Sequence, residues 1–258
     1  MSFFRARDDA FEPSELTRGP WDPDAQHAGP PGALVARAVE RCGDGAGKHI
    51  ARITLEVLRP VPMTTLTVSA RVARPGRSVE LVEATLASAD GPVMQATAWR
   101  MRTERVELGA AADTEPPEHG PDDGTPKDFF PTGAEVGYHT AMEYRFVSGS
   151  FLEPGPAVVW MRMRHPLVEG EEPTPLQRVL VAADSGNGVS AALDWRRHLF
   201  INTDLSVHLH RYPATEWVCL DAVTRLDRDG IGMADTLLRD ERGRIGRGVQ
   251  ALLVRRRV

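Results

Sequence analysis

The stretch Thr174-Pro175-Leu176-Gln177-Arg178-Val179-Leu180-Val181-Ala182-Ala183-Asp184-Ser185-Gly186-Asn187-Gly188 decides how the chain folds. It is spaced as a short helix with marked ends. Thr174 suits the N-cap, Pro175 the first helical position, and Gln177 completes a capping box. Gly186 and Gly188 are expected to stop it. Nearly every residue between these ends is apolar, so the helix belongs inside a core. Leu176, Leu180, Ala183 and Asp184 share one face. A carboxylate at the end of a buried helix is costly unless it is hydrogen-bonded or used in chemistry. Asp184 therefore either serves a site or ties down the Gly-rich turn behind it.

The same order of elements occurs earlier in the chain. Val35, Ala38, Val39 and Cys42 recur at helical spacing behind Gly29-Pro30-Pro31-Gly32, with Gly43 and Gly45 beyond. Strand-like runs follow around 53–57, 66–72, 79–89 and 93–102, the last two joined by the turn pair Asp90-Gly91. After the 174–188 helix come runs near 200–211, 216–226, 232–239 and 244–255. Leu55-Glu56-Val57-Leu58-Arg59-Pro60 parallels Val207-His208-Leu209-His210-Arg211-Tyr212, and the turn at Asp90-Gly91 parallels Arg242-Gly243. This points to an internal duplication. Residues 109–128 are rich in Gly, Pro, Asp and Glu and read as a linker. The expected organisation is a unit over 1–110, a linker over 111–127 and a second unit over 128–258. One apolar helix with an antiparallel sheet, twice, is an α+β fold in which each sheet wraps its own helix. Joining the two sheets edge to edge would remove two exposed edges.

Composition narrows the function. At 41% hydrophobic and 26% charged, the chain has the make-up of a soluble globular protein. A net charge of −5 argues against a nucleic-acid surface, and Arg255-Arg256-Arg257 reads as a solvated strand end. No apolar run is long enough to span a bilayer, and the N-terminus lacks a signal-peptide core. A cytoplasmic location is the expectation. Cys42 and Cys219 lie far apart among apolar neighbours and read as core residues.

Asp184, the strand holding Asn202 and Thr203, and the Gly248-Val249-Gln250 strand together resemble one family. So do Arg18-Gly19-Pro20-Trp21 and His27-Ala28-Gly29-Pro30-Pro31. The chain is similar to the acyl-CoA thioesterase II type of double-hotdog protein, in its actinobacterial form, over nearly its whole length. The resemblance implies a helix Asp, a hydroxyl residue on the next strand and a Gln on the last strand, holding an attacking water. Here these fall on Asp184, on Asn202 with Thr203 beside it, and on Gln250. The Asn departs from the family's hydroxyl. It also implies an acyl-CoA substrate, no metal and no redox cofactor. Hotdog habit and exposed sheet edges favour a homo-oligomer.

The chemistry is consistent with those residue types. A buried Asp can take a proton from water, and neutral amides can orient that water. Gln250 is either an ordinary strand residue or an inward-facing amide in phase with Leu252 and Val254. Gly29 and Gly32 would allow close backbone approach to substrate. His27 either touches substrate or packs in its loop. His208 and His210 share a strand face and read as exposed, and Ser185 lacks the setting of a nucleophile. Two other functions remain open: a non-catalytic binder of acyl-CoA or a lipid-like ligand, and an enoyl-thioester hydratase. The hydratase would require an Asp–His dyad, and no His follows Asp184 closely. Glu40 lies near the end of the first helix, where Asp184 lies in the second. Ala98 occupies the strand position that Gln250 has in the second half. A single working site is therefore expected.

Overall fold

The computed structural model describes residues 1–109 and 116–257. The first half contains β1 (Phe4–Arg7), β2 (Ala10–Pro13), α1 (Gly29–Arg41), β3 (Lys48–Val57), β4 (Leu66–Arg74), β5 (Val79–Ser88) and β6 (Gly91–Arg102). The second begins with α2 (Tyr138–Ala141), β7 (Met142–Ser148) and β8 (Ala157–Met163). Next are α3 (Pro175–Ala183), α4 (Gly186–Val189), β9 (His198–Asn202) and β10 (Asp204–Leu209). It closes with β11 (Val218–Leu226), β12 (Ile231–Asp240) and β13 (Gly243–Arg256). Of the expected linker, residues 111–115 lie outside the described residues. Beyond them the backbone of Thr125 pairs with that of Phe146.

The strands form one sheet in the order β1-β2-β4-β5-β6-β3-β10-β13-β12-β11-β8-β7, with β9 beside β13. Period-2 burial explains which face is covered. Val82, Ala84 and Leu86 of β5 point inward, as do Leu205, Val207 and Leu209 of β10. Under that face α1 packs on β4, β5 and β6, while α3 packs on β8 and β11. The two helices also pack against each other. Phe3 and Phe4 are fully buried, and their N–H groups reach across to the carbonyls of Pro166 and Leu167. Among the described residues no helix is long and apolar enough to cross a membrane.

At the seam, β3 and β10 run antiparallel with Leu205 opposite Leu55, Ser206 opposite Thr54 and Val207 opposite Ile53. The Thr54 and Ser206 hydroxyls lie 3.0 Å apart, at a sequence separation of 152. That separation also relates Leu55 to Val207, Gly91 to Gly243 and Ala98 to Gln250. The two sequence halves thus meet about their own matching residues.

Two expectations are corrected. The run at 200–211 is two strands divided at Thr203. There the Thr203 N–H binds the Ala251 carbonyl, its own carbonyl accepts from Val57 N–H, and Asp204 Oδ1 takes the Ala251 N–H. The side chain of Asp204 displaces a ladder bond, so the strand cannot run through. In addition, Gly186 and Gly188 do not stop the long helix. It ends at Ala183, Asp184 caps it, and the chain re-enters a helical turn at Gly186. Gly186 is required for space: a Cβ would sit 2.5 Å from Thr236 Oγ1 and 3.0 Å from Gln250 Oε1.

The end of α1 is closed by buried charge. Arg100 Nη1 donates to the carbonyls of Cys42 (2.8 Å) and Val39 (3.2 Å). Its Nη2 pairs with Glu80, which also pairs with Lys48 Nζ at 2.6 Å. Cys219 packs with Trp160 and Trp217, and burial pushes its thiol up to about 12. Arg100→Ala should cost about 3–5 kcal/mol, because Glu80 is left buried without its guanidinium and two carbonyls lose their donor. Urea unfolding checks this; a loss below about 1 kcal/mol would show that the pair is dispensable.

Candidate active site

Asp184 ends α3 with its side chain buried, and three elements converge on its carboxylate. Asn202, the last residue of β9, donates from Nδ2 to Oδ1 at 3.0 Å. Gln250 of β13 donates from Nε2 to the Asp184 carbonyl at 3.2 Å and faces Oδ1 at 3.4 Å. Its Oε1 accepts from the Asn187 N–H at 3.1 Å. Gln250 therefore has both ends of its amide in use, consistent with its 1% exposure. From the other half, His27 Nδ1 lies 3.0 Å from Asp184 Oδ2.

His27 is held from two sides. Its ring stacks on Tyr138 at 3.6 Å and 8°. Tyr138 in turn donates to the Val181 carbonyl at 2.6 Å and shares a 2.9 Å bond with Ser185 Oγ. Burial holds the Tyr138 phenol far above its ordinary range, so it stays protonated as a donor. The Gly29 N–H, at the start of α1, donates to the same His27 Nδ1 at 3.1 Å. Gly29 lets the helices approach: a Cβ there would be 2.6 Å from the Val181 carbonyl oxygen.

A cavity of about 30 Å³ borders this constellation, lined by His27, Tyr138, Ser185, Asn187 and the rings of Trp21 and Phe130 among others. That is room for a water or two. Phe130 stacks between Trp21 (5.2 Å) and Trp195 (5.0 Å), and Phe129 packs on Phe130 at 4.4 Å. The rings of Trp21, Phe129 and Phe130 give the cavity an apolar side.

Of the residues expected from sequence, Asp184, Asn202, Gln250, His27 and Gly29 come together. Two do not. Thr203 is exposed at the strand break, and only its backbone is engaged. The Gly32 N–H is spent on the Ala28 carbonyl, and a Cβ there would meet Leu55 Cδ1 at 2.6 Å, so Gly32 serves packing. Sequence reasoning missed Tyr138, Asn187 and the Phe129–Phe130 pair. Tyr138 lies in a four-residue helix, too short for any periodic signal. The Asp–His contact was missed because its partners are 157 residues apart, from Asp184 back to His27. His208 and His210 are both exposed.

The family model for an acyl-CoA thioesterase C-terminal domain matches residues 113–254, and that for the N-terminal domain matches residues 17–101. The chain belongs to the acyl-CoA thioesterase domain family. No curated protein matches it. Among solved structures, a provisionally assigned thioesterase II from Thermobifida fusca YX is similar at TM-score 0.76 and 19% identity, covering 98% of this chain and 94% of that one. A hot dog fold protein of unknown function from Alicyclobacillus acidocaldarius has TM-score 0.73 and 15% identity, with 99% and 96% covered. The acyl-CoA thioesterase II TesB2 of Mycobacterium marinum has TM-score 0.66 and 16% identity, with 97% and 94% covered. At these identities the likeness establishes a hotdog fold.

The other end of the helix pair is furnished differently. Glu40 of α1 accepts from Thr174 Oγ1 (2.8 Å) and Gln177 Nε2 (2.9 Å), the capping residues of α3. Ala98, at the separation that relates it to Gln250, is fully buried and offers no hydrogen bond. Burial raises the Glu40 carboxyl above its ordinary 4.5, against the opposing bonds from Gln177 and Thr174. The folded state therefore holds this proton more tightly than the unfolded chain. Its stabilising effect is complete below pH 4.5 and is lost as pH rises through the raised folded value. Urea unfolding across pH should show wild-type stability falling relative to Glu40→Gln in that window. A difference that stays flat with pH would contradict the assignment.

Proposed function

We propose that the protein is a cytoplasmic acyl-CoA thioesterase of two tandem hotdog units, residues 1–110 and 128–258 joined by 111–127, with Asp184 as general base. One observation carries the reading: a buried carboxylate held by Asn202 and Gln250 on one oxygen and approached by His27 on the other, next to a water-sized cavity that His27 and Ser185 line. A carboxylate has about four acceptor positions, two on each oxygen. Oδ1 uses both of its own, so the position left for a water proton is on Oδ2. The water held there attacks the thioester carbon as its proton passes to Asp184. The resulting tetrahedral oxyanion collapses, the C–S bond breaks, and the CoA thiolate leaves and is protonated.

His27 Nδ1 has one in-plane position and two neighbours. It can accept from the Gly29 N–H or, when protonated, donate to Asp184, but not both. Protonation at Nδ1 therefore frees the Gly29 N–H at the start of a 13-residue helix, where an oxyanion is well placed. In this reading His27 links the state of the base to the availability of the oxyanion donor.

The His27–Asp184 contact also favours a second reading, hydration of an enoyl thioester, in which the pair would share the handling of water. The two are separated by following thiol release from saturated acyl-CoAs and loss of enoyl absorbance in parallel. Thiol release is expected. Enoyl loss without thiol release would favour hydration, and binding without either would mean a non-catalytic carrier.

Asp184→Asn should lose roughly 10²–10⁴-fold in kcat, the usual worth of a general base. Gln250→Ala should also lose kcat, with circular dichroism confirming a folded protein. Glu40→Gln, measured in parallel, should keep its activity, because that carboxylate faces capping groups rather than a cavity. Comparable losses at Glu40 and Asp184 would mean that both ends of the helix pair turn over.

A further inference from the structure

A groove of about 860 Å³ opens where β3, β6, β10 and β13 end beside residues 210–212. It lies on the seam between the halves. Along β10 it is about 17 Å from the Asp184 end, at ~3.3 Å per residue from Asp204 to Leu209. Its wall carries Arg102, Arg244, Arg247, His49, His208 and His210, with Glu104 as the one carboxylate in the lining. The chain's net charge is −5 with histidine counted as neutral, so the positive charge of this lining comes from its arginines.

Two arginines of the groove lack a carboxylate partner among the described residues. Several arginines of the sheet are matched by carboxylates on neighbouring strands: Arg71 by Glu83, Arg239 by Asp221, and Arg247, at the groove's own edge, by Asp235. The exposed side chains of Arg102 and Arg244 have no hydrogen bond or ion pair among the described residues. Two unmatched guanidinium groups facing one concavity repel each other and are suited to a shared anion. The groove also has an apolar floor from Ala51, Met101 and Leu237, and a fixed pair of rings. His49 and Tyr212 lie 4.2 Å apart, tilted 40°. The Ile50 N–H holds the Tyr212 hydroxyl at 2.9 Å, and the Leu209 carbonyl holds His49 Nε2 at 2.9 Å.

We propose that this groove binds a phosphorylated nucleoside, with Arg102 and Arg244 on the phosphates and the base against Tyr212 and His49. The size lies within the usual range for small-molecule sites, ~300–1,000 Å³. Planar guanidinium groups match phosphate oxygens two at a time, and a rigid ring accepts a base by stacking. The chemistry is shared by a free nucleotide and by the nucleotide end of CoA.

The test is calorimetric titration of the full chain with adenosine 3′,5′-bisphosphate, at low and at high salt. Wild type should bind saturably, and more weakly in high salt. The Arg102→Ala, Arg244→Ala double variant should bind at least about tenfold more weakly. Both residues are exposed and unpaired, so its melting temperature should match wild type. Asp184→Asn should bind like wild type. No saturable binding by wild type, or binding that the double variant retains, would overturn the proposal. Where binding is lost in the double variant, its KM for acyl-CoA identifies the source. A raised KM means that the groove holds the substrate's own nucleotide; an unchanged KM means that it holds a separate one.

Discussion

Two helices, packed against each other, carry carbonyls and carboxylates near their ends that are turned into the fold. That constraint organises the molecule. A buried helix end must borrow donors from elsewhere in the fold. At α3 the donors are neutral: Gln250 holds the Asp184 carbonyl, and the Asn202 amide holds its carboxylate. At α1 they are cationic: Arg100 holds the carbonyls of Val39 and Cys42 and is itself neutralised by Glu80. Both solutions come from the sheet that covers the helix, so the sheet does more than bury apolar surface.

The difference between the two solutions bears on chemistry. A guanidinium beside a carboxylate makes a closed ion pair, which excludes water and leaves nothing to react. Amides orient a carboxylate without neutralising it, so its remaining acceptor position stays available. Glu40 falls between these cases. Its carboxylate is held by neutral donors, Thr174 and Gln177, but those same groups cap α3 through the Gln177 N–H and the Thr174 N–H. Its role is committed to joining the two halves. The offset of 152 residues thus persists in the register at the seam, while the two ends of the helix pair carry different side-chain partners.

Local pattern made much of this legible. The capping box at Thr174 and Gln177, the alternation of β5 and β10, and the offset between the halves could all be read from spacing, because each reflects a period or a fixed separation. Asp184 and Gln250 could be singled out because a polar residue in an apolar phase needs a reason. What escaped depends on side chains meeting across long separations. Asp204 breaking the strand at Thr203 requires a carboxylate to replace a backbone acceptor, which no periodicity signals. Gly186 looked like a helix stop, yet it is a glycine because Thr236 and Gln250 come too close for a Cβ. Gly32 looked like a substrate contact for the same reason of small size, and Leu55 explains it instead.

The proximity of His27 to Asp184 follows from the helix packing and brings the two halves of the chain together at this carboxylate. Gly29 permits α1 to begin within touching distance of the Val181 carbonyl, one turn before the end of α3. That approach sets the loop bearing His27 over the end of α3, and Tyr138 fixes the ring by stacking while its hydroxyl binds the same Val181 carbonyl. The histidine cannot turn away without losing its ring partner. It cannot serve both the Gly29 N–H and Asp184 through one nitrogen. The packing that buries the helices therefore also imposes a choice between two hydrogen bonds at Nδ1. Each alternative leaves one group without that partner, either the carboxylate oxygen or the backbone N–H. The choice joins the two halves of the chain, because the donor at the start of α1 and the acceptor at the end of α3 belong to opposite halves.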